Sequence, residues 1–459
     1  MATRQIISKH INVASGAYIG RDGEMWVDTV SNLLKISDGA TPGGVVITTD
    51  GDITSTWANI TDINNAAGPS KIAVGNLAGN TGQGGYAVAL GNLAGQTTQG
   101  ASAVAIGSIA GQTTQGESAV AIGDAAGVLN QGISAVAVGV EAGRTTQGQF
   151  GIAIGSAAGN TTQGDEATAV GSLAGNTTQG EGAVAVGGAA GYTGQGGYAV
   201  AVGYLAGQTT QGISAVAIGN DAGKTTQGAG AVAVGFNAGE TNQSGYTVAI
   251  GNDAGNTTQG ASAVAIGNDA GKTTQGTQSV AVGNSSGETT QGDYAVAVGY
   301  NAGTTSQGDE ATAVGDSAGK TNQGASAVAV GNAAGETTQG IQAVAVGIYA
   351  GYTTQGVGAV AVGASAGYTT QGRDTVAIGS AAGTTAQGEF AVAVGNSAGQ
   401  TNQAANSIVI NATGTTLNNI VEDVFVVKPV RGVAGAGLPA GFKQVAYHPT
   451  TGEFIYYDA

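Results

Sequence analysis

At 459 residues the length alone would suggest two or three domains, yet only 9% of residues are charged, against roughly a quarter in ordinary soluble domains. A net charge of −16 with only 13 Lys and Arg leaves no basic stripe to neutralise phosphates, which argues against nucleic-acid binding. The absence of cysteine removes disulfide frameworks and thiolate metal sites, and no apolar run is long enough to span a membrane as a helix. The opening MATRQIISKHINVASG has no apolar core of signal-peptide length. A protein working outside the cell would then be expected to leave by lysis or by assembly on a particle.

Residues 1–67 form a first module, read as β-rich with short hairpins. Gly20-Arg21-Asp22-Gly23 is a turn ahead of a strand over 24–30, Ser31-Asn32 a second turn, 33–36 a second strand and Asp38-Gly39 a third turn. Thr41-Pro42-Gly43-Gly44 punctuates before a strand over 45–49, and residues 50–70 read as an adaptor. The run GRDGEMWVDTVSNLLKISDGATPGGV, with Gly23-Glu24, Val27-Asp28-Thr29, Leu34, Ile36 and Asp38-Gly39, resembles N-terminal segments of tailed-phage fibre and other virion structural proteins. The resemblance implies a segment near the particle-attached end.

From residue 68 to 411 one sixteen-residue unit repeats without insertion or deletion. Its glutamines run from Gln83 to Gln403, 21 in all, and a fixed period of this kind is the signature of a solenoid. The 85 glycines keep phase, unlike those of a disordered chain, and do not fall at every third residue as in collagen. With Ala87 as phase 1, phases 1 and 3 are nearly always Ala while phases 2 and 4 are Val, Ile or occasionally Leu or Thr. This period-two alternation is a β-strand. Both of its faces are apolar, so one is expected to be covered by the coil's own second strand and the other by a partner chain. The second strand is placed at phases 10–13. Phase 11 is Thr except at Leu129 and phase 13 always Gln, so 11 and 13 are expected inward, 10 and 12 outward, with the Gln amides stacked as a ladder. Gly is invariant at phases 5 and 9 and leaves phase 14 only at Ser244 and Ala404, marking positive φ or a backbone approach too close for a Cβ. Stacked at strand spacing, 21 coils would make a rod on the order of 100 Å long.

The unit Ala-Val-Ala-Ile-Gly-x-x-Ala, as in residues 103–110, is similar to the head repeats of trimeric autotransporter adhesins. That resemblance implies a parallel β-roll in a homotrimer. The period is longer here, Thr-Thr-Gln replaces the family's second Ala-x-Ala, and the family's secretion signal and membrane barrel are missing, so its export route is not implied. The array needs capped ends: Lys71 stands at the first phase 1, and Asn411 replaces Gly in the last strand. Residues 412–459 read as a C-terminal module with a strand over 424–430, a loop over 432–441 and a hairpin of 444–447 with 454–457. Phe425-Val-Val-Lys-Pro-Val-Arg431 with the later Thr-Gly-Glu looks like C-terminal segments of phage structural proteins.

Few motifs carry chemistry. Gly-x-x-x-Gly-Lys-Thr at 219–225, 267–273 and 315–321 is one residue short of a phosphate loop and lacks a following helix. Asp165-Glu166 and Asp309-Glu310 are too far apart to share a glycosidase site with each other, so each is read as a solvated turn. His10 and His448 lie in different modules, and the Gly-Asn-Asp turns lack the carboxylate ladder of calcium β-rolls. No cofactor, metal or catalytic residue is expected. Tyr86, Tyr198, Tyr246 and Tyr294 at phase 16, and Tyr192, Tyr352 and Tyr368 at phase 10, are candidate surface-contact aromatics. They would either stack on sugar rings or pack against a neighbouring chain or coil. An ice-binding surface is disfavoured on the ground that adjacent threonines cannot both face out.

The expectation is an all-β, non-enzymatic virion fibre of a tailed phage, homotrimeric and assembled in the host cytoplasm. The solenoid would act as a spacer, and a terminal module would join other virion proteins while a tip or shaft meets a host glycan or protein. The alternative is a bacterial surface adhesin or matrix protein that binds glycans. Outside possibilities are a polysaccharide depolymerase and an ice-binding solenoid.

Overall fold

The sixteen-residue period becomes one coil of a parallel β-solenoid, and the chain is all-β. The computed structural model describes residues 70–430 in full. Beyond them it describes the backbone of Lys9–Ile11, Met25–Asp28, Leu33–Ile36, Val45–Ile47, Ile60–Thr61, Gln444–His448 and Glu453–Tyr457. The loop expected over 432–441 lies outside the described residues. Two compact units are present, Met1–Thr209 and Thr210–Ala459.

In the first unit, Met25–Asp28 pairs parallel with Lys9–Ile11 and antiparallel with Leu33–Ile36, which pairs in turn with Val45–Ile47. The strands expected over 24–30, 33–36 and 45–49 are therefore found as Met25–Asp28, Leu33–Ile36 and Val45–Ile47. Ile60–Thr61 lies antiparallel on Ile72–Val74, so the adaptor supplies a strand against the first strand of the solenoid. From there parallel pairs step by 16 residues, as in Val88↔Val104 and Val184↔Val200. The second unit continues the same spacing from Val216–Ile218 to Val392–Val394 and Ile408–Asn411. Among the described residues there are 22 such first strands.

The coil of residues 295–310 shows why the repeat folds so. Ala295, Ala297 and Ala302 are wholly buried, whereas Val296 and Val298 are only half-buried. The Ala face is thus the inside of the coil and the branched face the outside. The sheet is closed by phase-specific bonds: Val296 N donates to Ala311 O, Gly299 N to Val282 O and Gly308 N to Gln323 O, all at 2.8 Å. Gly299 has φ +133°, and a Cβ there would lie 2.4 Å from Gly315 O. No flexible group could yield, so phase 5 cannot drift. Gly303 has φ +54° and its Cβ would meet the Gln307 carboxamide at 2.8 Å. The invariant Gly at phase 9 therefore exists to admit the invariant Gln at phase 13.

That glutamine fills the interior. Gln307 Nε2 donates across the coil to Val296 O at 2.8 Å and onward to Gln323 Oε1 at 3.0 Å. The expected amide ladder is present and is also a cross-brace between the two strands. The ladder is interrupted at several steps, for Gln99, Gln115, Gln163, Gln195, Gln291 and Gln371 have an Oε1 that accepts no hydrogen bond. Hydroxyls that replace inner alanines are satisfied locally, as when Ser279 Oγ donates to Gly276 O at 2.7 Å and Thr247 Oγ1 to Ser244 O at 2.9 Å.

The second strand departs from expectation. Only phases 12 and 13 pair as a strand, as in Ser306–Gln307 with Asn322–Gln323. No phase-11 side chain is buried; Thr289, Thr305 and Thr337 are exposed. The assignment of phase 11 to the interior is therefore corrected. Phase 11 lies in the bend that leaves Gly303, outside the regular alternation, and an interior one Ala and one carboxamide thick has no room for it.

The last coil is closed by side chains. Asn411, at the place of the phase-5 Gly, is buried. Its Nδ2 donates to Asn396 O at 2.7 Å, and its Oδ1 accepts from Thr413 N at 3.1 Å. Phe425–Lys428 then adds parallel to Ile408–Asn411. Further on, Gln444–His448 and Glu453–Tyr457 form the expected antiparallel hairpin.

Candidate functional surfaces

Each coil presents two exposed faces and the corners between them. The first face carries phases 2 and 4, and its branched side chains stay partly open to solvent. Ile250, Ile266 and Ile378 are 39%, 38% and 41% exposed. The second carries phases 11 and 12, which are Thr or another short uncharged residue apart from Leu129. Charges are confined to the corners. At phases 7 and 10, Lys224 Nζ lies 2.9 Å from Asp221 Oδ1 and 3.7 Å from Glu240 Oε1, and Lys272 lies 2.8 Å from Asp269 Oδ1. Hydrogen bonds donated to Asp221 and Asp269 hold the two lysines above the usual ammonium value.

The corners use left-handed backbone at phases 7 and 16, both non-glycine in most coils, for example Asn301 (φ 55°) and Tyr294 (φ 59°). Ser, Asn and Asp recur at phases 7 and 16, residues that tolerate this region. That compositional signal could have located both turns.

The phase-16 tyrosines are the most exposed large side chains of their coils: Tyr86, Tyr198, Tyr246 and Tyr294 are each more than half open. Two rest on a glycine one coil earlier. A Cβ at Gly182 would lie 2.8 Å from the Tyr198 ring, and one at Gly230 would lie 3.0 Å from the Tyr246 ring. Tyr204 at phase 6 lies over Gly188 in the same way. Tyr198 OH donates to Glu181 Oε1 at 2.8 Å, which raises its pKa. Phe150, Phe236, Tyr300 and Phe390 are exposed as well and extend the set at phases 6 and 16. Sequence reading passed over the Gly-then-Tyr pairs at 16-residue spacing that mark these platforms.

The phase-10 tyrosines differ. Tyr192, Tyr352 and Tyr368 are half-buried. The rings of Tyr352 and Tyr368 stack at 4.9 Å between centroids, with Tyr349 edge-on to both. That cluster stacks upon itself, so the shared face between Tyr352 and Tyr368 is closed to a ligand.

No protein-family model matches the chain, and no curated protein matches it.

The remaining motifs resolve into structural roles. The lysines of the short phosphate-loop motif are ion-paired at corners, Lys320 with Glu336 at 3.9 Å. Asp165 Oδ1 accepts from Gln149 N at 2.9 Å, and Asp309 Oδ1 from Asp293 N at 3.0 Å. A phase-15 aspartate therefore caps the phase-15 amide of the coil before it. Among the described residues no group of three or more His, Cys, Asp or Glu could hold a metal; the side chains of His10 and His448 lie outside them.

Proposed function

We propose that the chain is a non-enzymatic structural fibre of a tailed-phage particle. Copies would associate along their Val/Ile faces into a trimer, and the solenoid would serve as a stiff spacer. The observation that carries this reading is the open branched face. In the second unit thirteen first strands each turn two such side chains outward. At on the order of 50 Å² left open per side chain the face comes to about 1,300 Å², beyond the roughly 300–600 Å² of a monomer's largest apolar patch. It also exceeds the roughly 800 Å² that each partner gives to a standard interface. Stiffness follows from the ladder bonds that tie every coil to the next without a large core.

The terminal modules, by their resemblance to virion segments, would join the particle at one end. The glycine-backed tyrosines favour a second role as contacts for a host glycan, which an adhesin would share. Quantitative mass spectrometry of purified particles and of cell envelopes from a culture carrying the gene tests the assignment. Stoichiometric recovery with the particles is expected; recovery with the envelopes alone would favour the adhesin.

A further inference from the structure

The exposed rings of phase 16 keep an order of their own. Phe150, Tyr198, Tyr246, Tyr294 and Phe390 fall on one grid of 48 residues, three coils, with Gln342 at the remaining node. Their backbones are alike: φ lies between 58° and 60°, and each amide donates to the phase-15 carbonyl of the coil before, as Tyr198 N does to Glu181 O at 2.8 Å and Tyr294 N to Thr277 O at 2.9 Å. They therefore leave the same corner. Within each unit, three coils at strand spacing set neighbouring rings about 14 Å apart, Phe150 and Tyr198 in the first, Tyr246 and Tyr294 in the second. All four are more than half exposed. Tyr198 and Tyr246 are braced against Gly182 and Gly230 one coil earlier, and the Tyr198 hydroxyl is tied to Glu181. Phe390 is the exception, because Arg373 lies 5.0 Å from its ring centroid. Arg373 is also the sole cation at phases 15 and 16 of the repeats, against nine carboxylates.

We propose that this corner binds a neutral, linear polysaccharide laid along the solenoid, each unit engaging it at two successive rings. The proposal deepens the glycan-contact role given to these tyrosines above and rests on it. A ring braced against backbone on one side presents a single face, which suits the C–H face of a pyranose, whereas a quaternary ammonium group needs a cage of several rings. The carboxylates beside the rings, Glu181 and Glu166 near Tyr198, accept hydrogen bonds from sugar hydroxyls and repel acidic sugars. Stacked nucleobases would bring phosphates with no cations to meet them. Anchors of a protein interface cluster in desolvated centres, whereas these rings stand singly, three coils apart. One ring holds a sugar weakly, and two rings on one chain add through effective concentration, so the ligand is a polymer.

Affinity electrophoresis of the full chain tests this, in native gels containing hydroxyethylcellulose, galactomannan or polygalacturonate, with circular dichroism to verify folding. Retardation is expected in at least one of the two neutral gels and not in polygalacturonate. It should vanish in Phe150→Ala/Tyr198→Ala/Tyr246→Ala/Tyr294→Ala and persist in Tyr198→Phe/Tyr246→Phe/Tyr294→Phe, which keeps every ring. Free migration in both neutral gels would overturn the inference, as would retardation by polygalacturonate alone or retardation that survives the alanine variant. A lower native mass for the alanine variant would give the rings to a seam between copies instead. Recovery of the chain with envelopes in place of particles would sink the fibre assignment and leave the gel result unchanged, so the two readings fail separately.

Discussion

The two faces of one coil are built on the same ladder and solve opposite problems. On the Val/Ile face, strict alternation puts Ala297 inside and leaves Val296 and Val298 half open to water. On the threonine face, alternation fails at the bend, and both Thr289 and Thr290 are turned out. The second face can stand alone in water because its groups are already polar. The first leaves apolar area open to water, which forgoes about 25 cal/mol per Å². A solenoid with so thin an interior therefore carries its largest unclaimed hydrophobic surface on the outside.

The sharpest way to break this comparison is to charge one face and then the other. Val296→Asp/Val298→Asp is expected to reduce the native mass in sedimentation, whereas Thr289→Asp/Thr290→Asp should leave it unchanged. Next comes the brace between the faces. Gln307→Leu removes the bonds to Val296 O, Ala311 O and Gln323 Oε1 and takes from Gln291 Nε2 one of its three acceptors. It should cost about 3 kcal/mol in chemical unfolding, while the neighbouring Thr305→Val should change stability by less than about 0.5 kcal/mol.

Smaller still is Ser279→Ala. This buried hydroxyl only returns to Gly276 O, and most other coils carry Ala there, so a shift within about 1 kcal/mol is expected. The least effect belongs to the corners. Lys224 and Lys272 have raised pKa values in the folded state, so their small contribution is present below the ordinary lysine value. It is lost as pH rises through the folded one. Lys224→Met should flatten that alkaline slope slightly in a pH series of melting temperatures.

Much of this architecture was legible in the residues. Period, strand at phases 2–4, glycine corners and amide ladder all follow from positions that every coil shares, since an in-register stack forces identical solutions. Phase 11 was misplaced because alternation was extended past the strand into a bend, where backbone dihedrals rather than parity decide direction. The glycine-backed platforms of Tyr198 and Tyr246 were missed for a related reason. Their signal is a pairing between successive coils, Gly182 with Tyr198 and Gly230 with Tyr246, and is invisible in any single repeat. The capping role of Asp165 and Asp309 likewise depends on an amide one coil away.

The central claim is that the Val/Ile face needs a partner and that the partner is a second copy of the same chain. Sedimentation equilibrium of the untagged chain at low micromolar concentration tests it most directly. A native mass of three times the 43.8 kDa chain is the predicted result, and a single species of 43.8 kDa would contradict it.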